Sequence, residues 1–249
     1  VISLCLQCCP YDQEAALELT ELICDIEKDR RPRTEFFLIF RKDCLAEVGK
    51  RFESMARRKF MRSAARVARN HDVGYPGGSN MLAGSAFIEM SILAREKLCE
   101  NDAFLLFEPD CIPLSLDWID RLSQEWERVR ELGKEAFGHW QGQEHGPAYH
   151  HLNGNAVFRS DWFDKHPQWI IGPSTMGWDW FYKEHLVALS VDSNLIYQHW
   201  QRYGLTPEEL LELRKNGERP VFFHGEKTGE ARKSARTVLL GASLSSVPP

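Results

Sequence analysis

Near the middle of the chain, the stretch FLLFEPDCIP (Phe104 to Pro113) sets two carboxylates, Glu108 and Asp110, on either side of Pro109 and directly after a run of large apolar residues. A short apolar run of this kind predicts a strand buried on both faces of a mostly parallel sheet. Proline, with its fixed φ and missing N–H, ends it. Carboxylates at the carboxyl end of a central strand stand where open α/β sheets bind their ligands. Oxygen donors of this type suit a hard divalent ion, Mg²⁺ or Mn²⁺, shared between protein carboxylates and substrate phosphates. The plainer alternative is an acidic turn that caps the following helix.

Other stretches carry chemistry of their own. His224 follows a short apolar run, Pro220 to Phe223, and Lys227 comes shortly after it. Histidine there is either a structural group or a metal ligand, and the lysine can meet a diphosphate as a point charge. Asp179 lies between Trp178 and Trp180 at the start of a helix, either as its cap or as a catalytic base in a partly dry, aromatic-walled pocket. Pro10, Tyr11 and Asp12 supply turn chemistry where the first apolar segment ends, open towards a ligand. In NHDVGYPGGSN (Asn70 to Asn80), Gly77 and Gly78 let backbone N–H groups approach a ligand, and Asn80 can cap the next helix. That stretch matches neither the dinucleotide fingerprint nor the P-loop.

The elements that must position these groups follow from periodicity. Val1 to Gln7 and Phe36 to Phe40 read as buried strands, and Ala16, Leu19, Leu22, Ile23 and Ile26 recur at helical spacing between them. Strand, helix and strand make a βαβ unit with a parallel sheet and right-handed crossover. Arg30 to Arg33 reads as a charged loop, Gly84 to Cys99 as a helix, and Ser115 as the cap of a helix buried through Ile119, Leu122, Trp126 and Val129. Gly133 to His151 lacks periodicity and reads as a substrate-facing loop. Ser193 to Trp200 is a late strand, Thr206 to Glu209 a capping box, and the chain beyond Thr237 a tail that frays or forms a lid.

The composition is that of a globular protein with room for one large α/β domain. No apolar run is long enough to span a bilayer and no signal-peptide pattern is present, so the expected location is soluble and cytoplasmic, although a chain that starts at Val1 leaves a removed leader open. The cysteines fall mostly inside apolar segments and read as reduced thiols. Against a formal net charge of -5, Leu45 to Arg69 is strongly basic, carrying Lys50, Arg51, Arg57, Arg58, Lys59, Arg62, Arg66 and Arg69. Such a segment is either a solvated helix face or an attractor of phosphates, including those of a nucleic acid.

Taken in order, these parts resemble the GT-A fold glycosyltransferases from Val1 to about Arg232. E-P-D at Glu108 to Asp110 is similar to that superfamily's D-x-D motif, with Glu108 as the departure. H-G-E-K at His224 to Lys227 is similar to its late H-G-x-K element, and Asp179 to its acceptor base. The resemblance implies a Rossmann-type, mostly parallel central sheet flanked by helices, with a smaller acceptor-side part. It divides a single catalytic domain, 1–249, into a nucleotide-binding half (1–113), an acceptor-side half (114–236) and a tail (237–249). It implies a nucleotide-sugar donor such as a UDP-sugar and a divalent ion, manganese or magnesium, held by Glu108, Asp110 and His224. Pro10, Tyr11, Asp12, Gly77, Gly78, Asn80, Glu108 and Lys227 would contact the donor. The basic segment brings a hydroxymethylated base in DNA among the acceptors, beside a polysaccharide, protein or small molecule. A sugar-phosphate nucleotidyltransferase and a non-enzymatic nucleic-acid or carbohydrate-binding module are the competing classes.

Overall fold

The computed structural model describes residues 1–68, 77–169, 176–198, 205–215, 220–225 and 227–244, without the side chains of 77–81, 144, 169, 214, 215 and 242–244. In chain order the elements are β1 (Ser3–Cys8), α1 (Gln13–Ile26), β2 (Arg31–Phe40), α2 (Val48–Ala56), β3 (Phe60–Val67), α3 (Gly77–Arg95), β4 (Ala103–Phe107), β5 (Cys111–Pro113) and α4 (Trp118–Glu131). There follow β6 (Ala136–Gly138), β7 (Trp140–Gln141), β8 (His151–Leu152), β9 (Ala156–Arg159), α5 (Trp162–Lys165), α6 (Trp178–Phe181), α7 (Lys183–Leu189) and β10 (Ser190–Asp192). The last are β11 (Ile196–Gln198), α8 (Pro207–Lys215), β12 (Phe222–His224) and α9 (Glu230–Leu244).

Seven strands form the main sheet in the order β10-β6-β9-β4-β1-β2-β3. Neighbours are parallel except around β9, which runs antiparallel to both β4 and β6. Alternation along the central strands feeds two cores. Leu4, Leu6, Phe36, Leu38, Leu105 and Phe107 face one side with α1, α2, α4 and α9, while Cys5, Phe37, Ile39, Phe104 and Leu106 face the other with α3 and α5 to α7. Because side chains of a strand alternate between faces, an unbroken apolar run is what a sheet covered on both sides requires. The expected mixed α/β architecture, with its mostly parallel central sheet flanked by helices, is the one found.

Several expectations are corrected. The loop foreseen at Arg30 to Arg33 is the start of β2, where Arg31 pairs with Phe60 ahead of a register shift. As far as it is described, the basic segment is a short helix, α2, followed by the edge strand β3, and its described arginines are engaged by acids: Arg51 by Glu14, Arg57 by Glu53, Arg58 by Asp25, Arg62 by Glu100 and Glu35, and Arg66 by Glu96. Helix α4 begins after Asp117 rather than at a Ser115 cap. The aperiodic stretch Gly133 to His151 contains β6, a strand of the main sheet. Beyond Thr237 the chain continues as α9 to Leu244, with Val238 and Leu239 in the core. The Thr206 capping box forms as read, its N–H donating to Glu209 Oε2 at 3.0 Å and its Oγ1 accepting from Glu209 N at 3.3 Å. Among the described residues no helix is long and apolar enough to cross a membrane.

Candidate active site

Where β4 ends, Cys111 N–H donates to the Glu108 carbonyl at 3.1 Å, closing the turn around Pro109. The chain then enters a small sheet of order β11-β12-β5. In it β5 runs antiparallel to β12 with His224 opposite Cys111, and Gly225 N–H donates to the Asp110 carbonyl at 3.2 Å. This register carries a histidine from near the end of the chain to the acidic turn in its middle. Phe222 locks it, packing edge-on to Phe107 at 5.6 Å and stacked on Trp118 at 5.4 Å.

The result is a cation-seeking cluster. His224 Nε2 stands 3.3 Å from Asp110 Oδ2 and 3.4 Å from Glu108 Oε2, and Lys227 Nζ contacts the same Asp110 oxygen. Burial alone would raise the Asp110 pKa, but His224 and Lys227 bring it down to about 2. Burial alone would lower that of His224, and the carboxylates of Asp110 and Glu108 hold it at about 9 instead. Among the described residues, Asp110 Oδ1 and His224 Nδ1 are buried without a hydrogen-bond partner, which is costly unless a ligand satisfies them. Gln7 Oε1 and Gln198 Oε1, both on the wall of the same cleft, are in the same condition.

Of the expected ligands, Asp110 and His224 fall in one compact group of donors. Asp110, Cys111 and His224 offer ligand atoms all within 4.8 Å of one another, and Glu108 is not in that group. Its carboxylate is instead approached by Gln7 Nε2 and Asn155 Nδ2, each at 3.4 Å, while its N–H donates to Asn155 Oδ1 at 2.9 Å. Cys111 is a poor ligand for a hard ion. Burial pushes its thiol pKa far up, and Sγ donates to Asn155 Oδ1 at 3.3 Å. Carboxylate and imidazole donors with unsatisfied buried atoms fit Mn²⁺ or Mg²⁺.

A cleft of about 830 Å³ lies over this cluster and brings most of the expected residues together: Tyr11, Asp12, Glu108, Asp110, Asp179, His224 and Lys227 all line it. Pro10 shapes the turn after β1 without lining the cleft. Asp12 Oδ1 accepts from Cys9 N–H at 2.6 Å, and burial, helped by Glu108 and Asp110, pushes its pKa up. Gly77, Gly78 and Asn80 form the start of α3, whose first side chains lie outside the described residues, as do residues 70–76 of the same stretch.

Asp179 is the second residue of α6, not its cap, which is Gly177. Oδ1 accepts from Trp180 N–H at 2.9 Å and Oδ2 from Gly154 N–H at 3.3 Å. A Cβ at Gly177 would stand 2.7 Å from Oδ1, so glycine leaves the room the carboxylate occupies. Burial pushes the Asp179 pKa up and His151 pulls it back. Both flanking indoles border the cleft, but they differ in burial: Trp178 packs into the core against Phe87, whereas Trp180 is more exposed, with His151 edge-on at 4.9 Å. His151, Asn153, Asn155, Gln7, Gln198 and Arg232 were not foreseen as site residues. Of these, His151 alone had a local signal, as the last residue of the stretch read as a substrate-facing loop.

Protein-family models and curated protein sequences give no match to the chain. Solved structures do. The WbbM bifunctional glycosyltransferase superposes with a TM-score of 0.54 at 9% identity, over 96% of this chain and 49% of its own. GlyE, a glycosyltransferase of Streptococcus pneumoniae, gives 0.51 at 9% identity over 98% of this chain and 64% of its own. The mannosyltransferase PcManGT of Pyrobaculum calidifontis, solved with GDP-Man and Mn²⁺, gives 0.50 at 9% identity over 77% and 54%. The chain thus spans less than two thirds of the length of each, and what it shares with them is the GT-A glycosyltransferase fold.

Proposed function

We propose that the chain is a metal-dependent glycosyltransferase that moves a sugar from a nucleotide-sugar donor, such as a UDP-sugar, to an acceptor hydroxyl. The observation that carries this is the meeting of Asp110, in the turn that leads into β5, with His224, at the end of the adjacent β12, beside Glu108 and Lys227 in a cleft lined by unsatisfied polar groups. The likeness in fold to a mannosyltransferase solved with GDP-Man and Mn²⁺ supports a donor and an ion of that kind.

In this reading Asp110 and His224 would hold the ion, with Glu108 beside them. When bound, a divalent ion supplies positive charge to the departing diphosphate. Lys227 adds a point charge there. The turn of Pro10, Tyr11 and Asp12 and the start of α3 at Gly77, Gly78 and Asn80 face the nucleotide, in the half formed by 1–113, and 114–236 receives the acceptor. The acceptor oxygen attacks the anomeric carbon as the bond from that carbon to the diphosphate oxygen breaks, and its proton passes to Asp179. Burial gives that carboxylate more proton affinity than an exposed one, which suits a base.

For the acceptor, a hydroxymethylated DNA base rests on the basic segment alone. Because its described arginines are engaged by acids of the same chain, that support is reduced relative to a polysaccharide, protein or small-molecule acceptor. The central test is thermal stability with a panel of nucleoside diphosphates, with and without Mn²⁺. Stabilisation that needs both is expected, and Asp110→Ala and His224→Ala should each lose it together with transfer while remaining folded. Full transfer by either variant overturns the proposal, and nucleotide binding indifferent to metal favours a binding module.

A further inference from the structure

The Lys227 ammonium pairs with Asp110, one of the two residues proposed to hold the ion. It sits on Oδ2, the oxygen that His224 Nε2 also approaches at 3.3 Å. It reaches there from outside: the Lys227 side chain is 61% exposed, that of Asp110 only 9%. Asp110 Oδ1, the other oxygen, has no hydrogen-bond partner among the described residues. The connection that carries Lys227, between β12 and α9, is bounded by Gly225 at φ +123° and Gly229 at φ +81°. Side-chain-bearing residues rarely adopt such angles, so the lysine is delivered by a backbone path that only glycine follows without strain.

From this we infer that Lys227 is a resident cation that couples metal uptake to diphosphate uptake, an inference that rests on the function proposed above. A divalent ion arriving alone must take Asp110 from an ammonium already there and leave that ammonium without a partner. When the ion arrives with a nucleoside diphosphate, the displaced ammonium finds a new anion within the same cleft. The ion alone therefore binds weakly, the pair binds strongly, and by linkage each raises the affinity of the other by the same factor. The site admits a divalent ion as part of a diphosphate complex and discriminates against one that comes by itself.

Calorimetric and thermal-shift titrations of Mn²⁺ alone, uridine and guanosine diphosphates alone, and each diphosphate with Mn²⁺ test this on the wild type, Lys227→Met and Lys227→Arg. Lys227→Met is expected to bind Mn²⁺ alone about tenfold more tightly and the Mn²⁺–diphosphate pair about tenfold more weakly, so that the coupling between them collapses. Lys227→Arg, which keeps the charge, should retain most of it. If Lys227→Met binds Mn²⁺ alone no better than the wild type, while the wild type still needs Mn²⁺ to bind a diphosphate, this inference fails and the function stands. If the wild type shows no metal-dependent diphosphate binding, the proposed function fails first. Loss of folded protein in Lys227→Met would be visible as a missing unfolding transition, and the arginine variant then decides: Mn²⁺ binding unchanged from wild type supports the inference, and tighter binding overturns it.

Discussion

At the scale of single residues, the groups proposed for chemistry are those the fold holds at a cost. Asp179 shows it most directly. Burial raises its pKa, so the folded chain binds a proton there more readily than the unfolded chain does. The sign follows from linkage: the stabilisation is present below the ordinary carboxylate pKa and is lost as pH rises through the raised one. Asp179→Asn should therefore be at least as stable as the wild type at pH 7.5, with its relative advantage shrinking as pH falls towards the ordinary carboxylate value. Melting temperatures of the two proteins measured across that range check this. Transfer should fall by about 10²-fold or more, as expected for loss of a general base, with diphosphate binding little changed. An active Asp179→Asn enzyme, or a product with retained anomeric configuration, would remove the role.

At the scale of elements, the small sheet of β11, β12 and β5 decides whether the site exists. Its strands are three residues each, too short to hold a register by ladder hydrogen bonds alone. Aromatic packing of Phe222 between Phe107 and Trp118 supplies what the ladder lacks. Removing that ring in Phe222→Ala should cost about 3–5 kcal/mol, and it should weaken Mn²⁺-dependent diphosphate binding although Phe222 does not line the cleft. Denaturant unfolding gives the first quantity and calorimetry the second; intact binding in the destabilised variant would mean that the register is held elsewhere. The same sheet marks the limit of what the sequence tells. The apolar runs of β1, β2 and β4 and the stripe of α1 are local patterns, and they revealed the βαβ core and the carboxylates at its edge. The pairing of β5 with β12, and of β9 between β4 and β6, depends on partners far along the chain and leaves no periodic trace. Asn155 and Gln198 are site residues for that reason alone: each is an ordinary amide until the fold brings it to Glu108 or to the cleft wall.

At the scale of the whole molecule, the question is whether its charge suits a polyanionic acceptor. The strand order puts β3, which carries part of the basic segment, at the opposite edge from β10, with β2 and β1 between it and β4. At about 4.8 Å per strand, Arg62 and Arg66 are more than a nanometre from the acidic turn. Exposed ion pairs are weak, near 0–1 kcal/mol, so pairing with Glu100 and Glu96 would not by itself forbid these arginines from meeting phosphates. The cleft, however, gathers Asp12, Glu108, Asp110 and Asp179, and the net charge is -5. A duplex reaching Asp179 would have to lay its backbone along carboxylates. With few phosphates neutralised, affinity for a duplex should fall by no more than about tenfold between about 50 and 200 mM salt, whereas six to ten phosphate contacts would give about 10³–10⁵. Duplex binding measured over that range decides the matter. A steep slope that Arg62→Gln and Arg66→Gln flatten would favour the nucleic acid as acceptor; a shallow slope leaves hydroxyls on uncharged acceptors as the better match to a cleft with Trp180 on its wall and Asp12, Glu108, Asp110 and Asp179 within it.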